Sequence, residues 1–170
     1  MSIPLIFQTQ LLLGYVPWLL LGAAYVFPRL RSVDRFEVGR AIAVLHSFRF
    51  FGLVFLLPGV VSASLPAGFA ASAAYGDFAT GLLAMAALLA TRIRPLFWAL
   101  VVAFNLVGTG DLILNYVHGV AIDLPGHAGD LGAAYAIPVI YVPLLMITHV
   151  MAFALLLRRA PQPATTPAAV

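Results

Sequence analysis

Five apolar runs, parted by breaks that carry arginine only at every second junction, constrain this chain more than any other feature. A membrane-crossing helix needs about 20 predominantly apolar residues. The runs lie at roughly Leu5–Phe27, Glu37–Val60, Ala71–Thr91, Pro95–Val117 and Tyr135–Leu157. With 63% of its residues hydrophobic, 9% charged and a mean hydropathy of +1.05, a soluble domain of this size could not hide its apolar surface. The sequence therefore predicts an all-α integral membrane protein. It would be a single bundle of five transmembrane helices over residues 1–159, followed by a disordered tail at 160–170 rich in Pro, Thr and Ala.

Eight of the nine arginines sit at three places: Arg29, Arg31, Arg35 and Arg40 after the first run, Arg92 and Arg94 after the third, Arg158 and Arg159 after the fifth. The junctions after runs two and four have none. Cytoplasmic loops concentrate Lys and Arg, so the pattern predicts an N-terminus outside and a C-terminus in the cytoplasm. Met1–Gln10 has no positive region and no small-residue cleavage site, so the first run reads as a retained span rather than a signal peptide. Asp34 and Glu37 fall among the cytoplasmic arginines and are expected to pair with them. The net charge of +3 comes from arginines that flank spans and form no basic face, which argues against nucleic acid as a partner. There is no cysteine and no lysine, so disulfides, thiolate metal sites, Schiff bases and a retinal-type chromophore are excluded.

Arg49 breaks the pattern, lying in the middle of the apolar stretch 41–61. A guanidinium inside a bilayer is costly and usually functional. Counting 1.5 Å per residue from the flanking arginines puts His46 roughly 9 Å deep, His149 roughly 13 Å and Asn105 roughly 16 Å. Asp77 and Asp111 come out at roughly 22–25 Å, within reach of the long Arg49 side chain. His46 and Arg49 share a helix face. Asn105, Gly108, Asp111 and Asn115 fall in one stripe of the fourth span, with Gly108 and Gly110 leaving room beside it. These residues form the candidate site: His46, Arg49, Asp77, Asn105, Asp111, Asn115 and His149. A structural alternative makes Arg49 and its acids an interhelical clamp, with the asparagines as polar glue.

Other features carry smaller expectations. Ser72, Gly76, Thr80 and Ala84, four apart, let another helix approach closely, either within the chain or in a homo-oligomer. Pro17 and Pro143 each remove a backbone donor and bend a span, and Pro143 frees the carbonyl of Val139. The apolar segment Val61–Tyr75 is too short to cross and reads as re-entrant or interfacial. His118, Asp123, His127 and Asp130 are expected in an outer loop rich in Gly and Pro. Their spacing matches no metal-site signature, so a solvated loop is the plainer reading.

The strings Leu45-His46-Ser47-Phe48-Arg49-Phe50, Leu57-Pro58-Gly59-Val60-Val61 and Ala74-Tyr75-Gly76-Asp77 resemble those of a family of small, uncharacterised bacterial multi-pass membrane proteins. So do Phe104-Asn105-Leu106-Val107-Gly108-Thr109-Gly110-Asp111-Leu112, Ile137-Pro138, Val142-Pro143-Leu144-Leu145 and Thr148-His149. The likeness covers most of residues 40–157 and implies a bacterial inner membrane, with no activity attached. The motifs of known transporters, rhomboid-type proteases and His-box desaturases are not recognisable.

Three chemistries remain open. The interior can serve proton-linked transport or small-ligand binding, with the imidazoles exchanging protons, the acids carrying them and Arg49 as counter-charge. His46 and His149 can be axial ligands of a b-type haem, its edges packed by Phe48, Phe50 and Phe51. A membrane enzyme for a lipophilic substrate can use a histidine as base, oriented by Asp77 or Asp111, with Ser47 or Thr109 as nucleophile; no Gly-x-Ser-x-Gly element supports it. A non-catalytic accessory subunit is the fourth alternative.

Overall fold

The computed structural model describes residues 1–157. The expected tail, with Arg158 and Arg159, lies outside the described residues. Five helices are long and apolar enough to cross a membrane: α1 Ile3–Val26, α2 Arg35–Leu56, α3 Ala67–Leu89, α4 Arg94–Ala121 and α5 Ile137–Leu157. No strand occurs among the described residues.

Three boundaries differ from expectation, the first being α2, which ends at Leu56 and not near Val60. The segment Val61–Tyr75 is not re-entrant, because helix α3 already starts at Ala67. Pro66 supplies the start: its backbone is extended, and its carbonyl accepts the first amides, from Phe69 and Ala70, while a proline needs no donor of its own there. Helix α4 runs on to Ala121, so His118 belongs to its last turn rather than to a loop. The helix ends where Leu124 N–H returns to the Gly119 carbonyl at 2.8 Å and Asp123 takes a φ of +51°.

The loops at this end interlock. Ser62 N–H donates to the Asp130 carbonyl at 2.8 Å, and Ala133 N–H donates to the Val60 carbonyl at 3.0 Å. Between them Gly132 has φ +52°, and a Cβ there would collide with the Val60 carbonyl oxygen. Both facts demand glycine.

Helix α2 changes winding at the position that matters most. It is α-helical over Arg35–Ser47 and a tighter 3₁₀ helix over Phe48–Leu56. Runs of 3₁₀ beyond three or four residues are uncommon, and three residues per turn stack positions i and i+3 on one line. Arg49, Gly52 and Phe55 are accordingly the buried residues of this segment, while Phe48, Phe50 and Phe51 are exposed.

Helix α5 begins with a wider π turn, Ile137–Tyr141, closed by Val142 N–H on the Ile137 carbonyl. The indole Nε1 of Trp18 donates to the Ile140 carbonyl at 2.9 Å, one residue beyond the carbonyl expected to be free. The Val139 carbonyl instead lies against Gly14 of α1, where a side chain would strike it and the Pro143 ring. Helix α1 is otherwise sparsely covered; Phe7 and Gly22 are its buried residues.

The apolar core is split in two. At the arginine end, Ile42, Ala43, Ala84, Ala87, Phe97, Val101, Phe104 and Leu155 pack together. At the opposite end the cluster is Phe7, Phe55, Leu65, Phe69, Ala73, Leu131, Ile137 and Val139. On each of α2 to α5 the buried polar residues fall between the two sets in sequence, so one polar layer separates them. At the arginine end the Arg94 guanidinium lies 3.3 Å from the centre of the Phe36 ring, and Arg35 lies 4.9 Å from that of Trp98. Glu37 pairs with Arg40 at 2.9 Å on the surface. Asp34 stands at the N-cap of α2 and accepts Val38 N–H through its backbone carbonyl.

Candidate functional site

Arg49 is completely buried, and three other helices supply its partners. Its Nε donates to Asp77 Oδ1 on α3 at 2.6 Å. Its Nη2 donates to Asp111 Oδ2 on α4 at 2.6 Å. Its Nη1 donates to His149 Nε2 on α5 at 3.2 Å. Asp77 and Asp111 are themselves buried. Charge-assisted bonds of this length are among the strong ones, yet a buried ion pair is worth its cost only when the remaining polar atoms are also satisfied.

Most of them are. Asn115 Nδ2 donates to Asp111 Oδ1 at 2.9 Å, and Ser72 Oγ donates to Asn115 Oδ1 at 3.3 Å. Asn105 Oδ1 meets His149 Nδ1 at 2.8 Å, and its own Nδ2 donates to the Val101 carbonyl at 2.7 Å. Asp77 Oδ2 accepts no hydrogen bond from the described residues.

Hydrogen-bond arithmetic fixes both neutral imidazoles. A guanidinium can only donate, so His149 Nε2 is an acceptor and its proton sits on Nδ1, given to Asn105. The hydroxyl of Thr148 has one proton, and the carbonyls of Leu144 and Leu145 lie at 2.9 and 3.0 Å to take it. Thr148 Oγ1 therefore accepts from His46 Nε2 at 3.0 Å. His46 Nδ1 is left as a bare acceptor, buried and without a partner among the described residues. The two rings lie 4.2 Å apart, tilted by 44°.

Glycines make the room. A Cβ on Gly52 would collide with the Asp77 carboxyl, and one on Gly76 with that of Asp111. A Cβ on Gly108 would come within 2.5 Å of Arg49 Nη1 and 2.7 Å of the His149 ring. Gly81 lets α3 approach the α2 backbone, at 2.9 Å from Phe50 N for such a Cβ. The small-residue stripe on α3 thus faces inward. Gly76 sits under Asp111, Ser72 reaches Asn115, and Thr80 and Ala84 are fully buried within one chain.

All seven residues singled out from the sequence lie in this layer. Thr148, Gly52 and Gly76 belong to it as well. Gly52 had a signal in the three-residue spacing Arg49, Gly52, Phe55, which only a 3₁₀ reading of α2 would have used. Tyr141 adds a hydroxyl that donates to the Leu45 carbonyl at 3.3 Å.

Two hollows approach the layer. A cavity of about 210 Å³ lies on the side away from the arginines, lined by apolar residues of all five helices, with Asp77 and Asn115 among its walls. A more open groove of about 360 Å³ enters from the arginine end and reaches Thr148 and Leu45.

The alternative chemistries fit less well. A porphyrin between His46 and His149 needs space between their rings, and here the rings are in contact, with Nε2 of each already bonded to Thr148 or Arg49. Ser47 Oγ donates to the Val44 carbonyl, and among the described residues Thr109 Oγ1 has no partner and neither hydroxyl bonds to an imidazole. In the segment between α4 and α5 His127 Nδ1 meets Asp130 Oδ2 at 2.8 Å, and Ser64 donates to Asp130 Oδ1 at 2.7 Å. Among the described residues no three His, Asp or Glu side chains converge as a metal site.

Apolar helices around one ionic centre define the class: a five-helix bundle of membrane-protein type, with its charge inside. Over residues 6–157 the chain belongs to the family described as a domain of unknown function (DUF8737). No curated protein and no solved structure matches it.

Proposed function

We propose that this chain is a multi-pass protein of a bacterial inner membrane, N-terminus outside, and that its centre moves protons in a transport or small-ligand cycle. The observation that carries the reading is the row of buried polar contacts between the two hollows. It runs from Thr148 to His46 and across the ring contact to His149, and Arg49, as the fixed counter-charge, ties His149 to Asp77, Asp111 and onward to Asn115. The one step without a hydrogen bond is the imidazole contact, where the free Nδ1 of His46 can accept a proton. One guanidinium between two carboxylates also leaves one negative charge to be balanced by a proton or a cation when both acids are ionised.

The decisive experiment is proton flux in liposomes under an imposed pH gradient, with Asp111→Asn as the variant. The asparagine keeps size and hydrogen bonding to Arg49, so folding is expected to survive while flux falls to background. Equal flux in the variant, or none in the unaltered protein, overturns the reading. Orientation is checked separately with single cysteines, which the cysteine-free chain permits: one at Ser64 should react with an impermeant maleimide from outside, one at Arg92 only from inside.

The structural clamp has its own support in the near-complete satisfaction of Arg49. In that case Asp111→Asn would change thermal stability and no flux would be found.

A further inference from the structure

We infer that the cavity beside Asp77 is a binding site for a small amphiphile with a cationic or hydrogen-bond-donating head, of which an alkyl or aralkyl ammonium is the best-fitting kind. The inference shares Asp77 with the reading above but does not require protons to move.

Three independent features point to it. The first is size: a dry apolar cavity of about 150 Å³ accepts benzene, and this one, at about 210 Å³, has room for a ring with a short chain. The second is polarity. The walls are apolar apart from a few groups, and the layer they abut holds two carboxylates and one guanidinium. Asp77 is 6% exposed, and its Oδ2 takes no hydrogen bond from the described residues. Asp77 is in the cavity wall, and a carboxylate there favours a ligand that donates a hydrogen bond, as an ammonium or hydroxyl would. A carboxylate head would meet like charge instead. The third is access. Phe7 and Leu11 of α1 form one wall and Tyr116 and Val120 of α4 another, and these helices do not pack along each other. The cavity lies at a seam toward the end of the bundle away from the arginines, where an amphiphile can enter sideways from the margin of the bilayer when the helices span.

The test uses three probes with one apolar body and different heads: 3-phenylpropylamine, 3-phenylpropanol and 3-phenylpropanoate. Binding to the full chain in phosphatidylcholine nanodiscs is measured by equilibrium dialysis, with empty nanodiscs subtracted for partition. The amine is expected to bind saturably and about tenfold more tightly than the propanoate, with the alcohol between them. Asp77→Asn should remove the preference for the amine and leave alcohol binding in place. Ala73→Phe, which fills the cavity, should abolish binding of all three, and Leu112→Phe does the same from the opposite wall if Ala73→Phe fails to fold. No saturable binding, equal binding of amine and propanoate, or binding untouched by the filling variants overturns the inference. The ranking on the unaltered protein decides even if no variant folds. A failed flux measurement with intact amine selectivity would remove the proton reading and leave this one standing.

Discussion

The Arg49 centre and the Ser64–His127–Asp130 group of the loops at the end away from the arginines are built from similar contacts and differ almost entirely in their surroundings. Arg49 meets its two acids at 2.6 Å, while Asp130 meets His127 at 2.8 Å and Ser64 at 2.7 Å. Geometry alone would rank them together. Arg49, however, is completely buried, so bulk water cannot replace a missing contact. Around Asp130 water can replace every partner. Burial, rather than contact distance, decides how much each bond matters.

The sharpest way to break the comparison is Arg49→Leu. It leaves two acids facing each other without a counter-charge, and breaking a buried pair in this way costs about 3–5 kcal/mol. Loss of folded protein is expected, read as a collapse of the melting transition in detergent. The triple variant Arg49→Leu, Asp77→Leu, Asp111→Leu should recover much of that loss, since apolar replacement of a whole ionic set is often close to neutral. Failure of the triple variant to recover would mean that packing around Gly52 and Gly76, more than charge, sets the cost.

Smaller losses follow from the supporting shell. Gly76→Ala and Gly108→Ala force the Asp111 carboxyl or the Arg49 and His149 groups to move, and overpacking of this kind costs about 1–3 kcal/mol. Gly110→Ala, where a Cβ meets nothing within 4 Å, is the control and should be silent in the same melting assay. Asn105→Leu strands the Nδ1 proton of His149, a loss of about 1–3 kcal/mol, and should shift the imidazole nitrogen resonances in an NMR spectrum.

The outer group anchors the small end of the scale. Hydrogen bonds from Ser64 and His127 hold the Asp130 carboxyl below its ordinary value of 3.8. A depressed acid contributes stability that is present above its unfolded value and lost as pH falls through the folded one. The contribution of Asp130 should thus be constant from neutral pH down to about 3.8 and fade only below. Asp130→Asn should change the melting temperature little at pH 7. A large drop there would show that this loop is braced far more strongly than its exposure implies.

Much of this was legible in the chain before any coordinates. Arg49, Asp77, Asp111, Asn105 and the histidines stand out because each interrupts an apolar run, and counting residues from the flanking arginines sets their depths. What could not be read was pairing. Depth is a local property of one helix, whereas the partner of His149 depends on how α4 rotates against α5. The 3₁₀ winding after Ser47 was also hidden, since the apolar content of Phe48–Leu56 suits either winding and the choice depends on fitting Arg49 and Gly52 against α3.

By itself the sequence determined the five apolar helices, the arginine-bearing end and the set of polar residues forced into the interior, because hydropathy along a chain needs no partner to be read. Only the tertiary structure decided that Arg49 bridges both acids and one imidazole, that three glycines make their space, and that Asp77 stands in the wall of an apolar cavity. Those outcomes depend on helix rotation and close approach across the bundle, which are settled by packing among residues far apart in sequence.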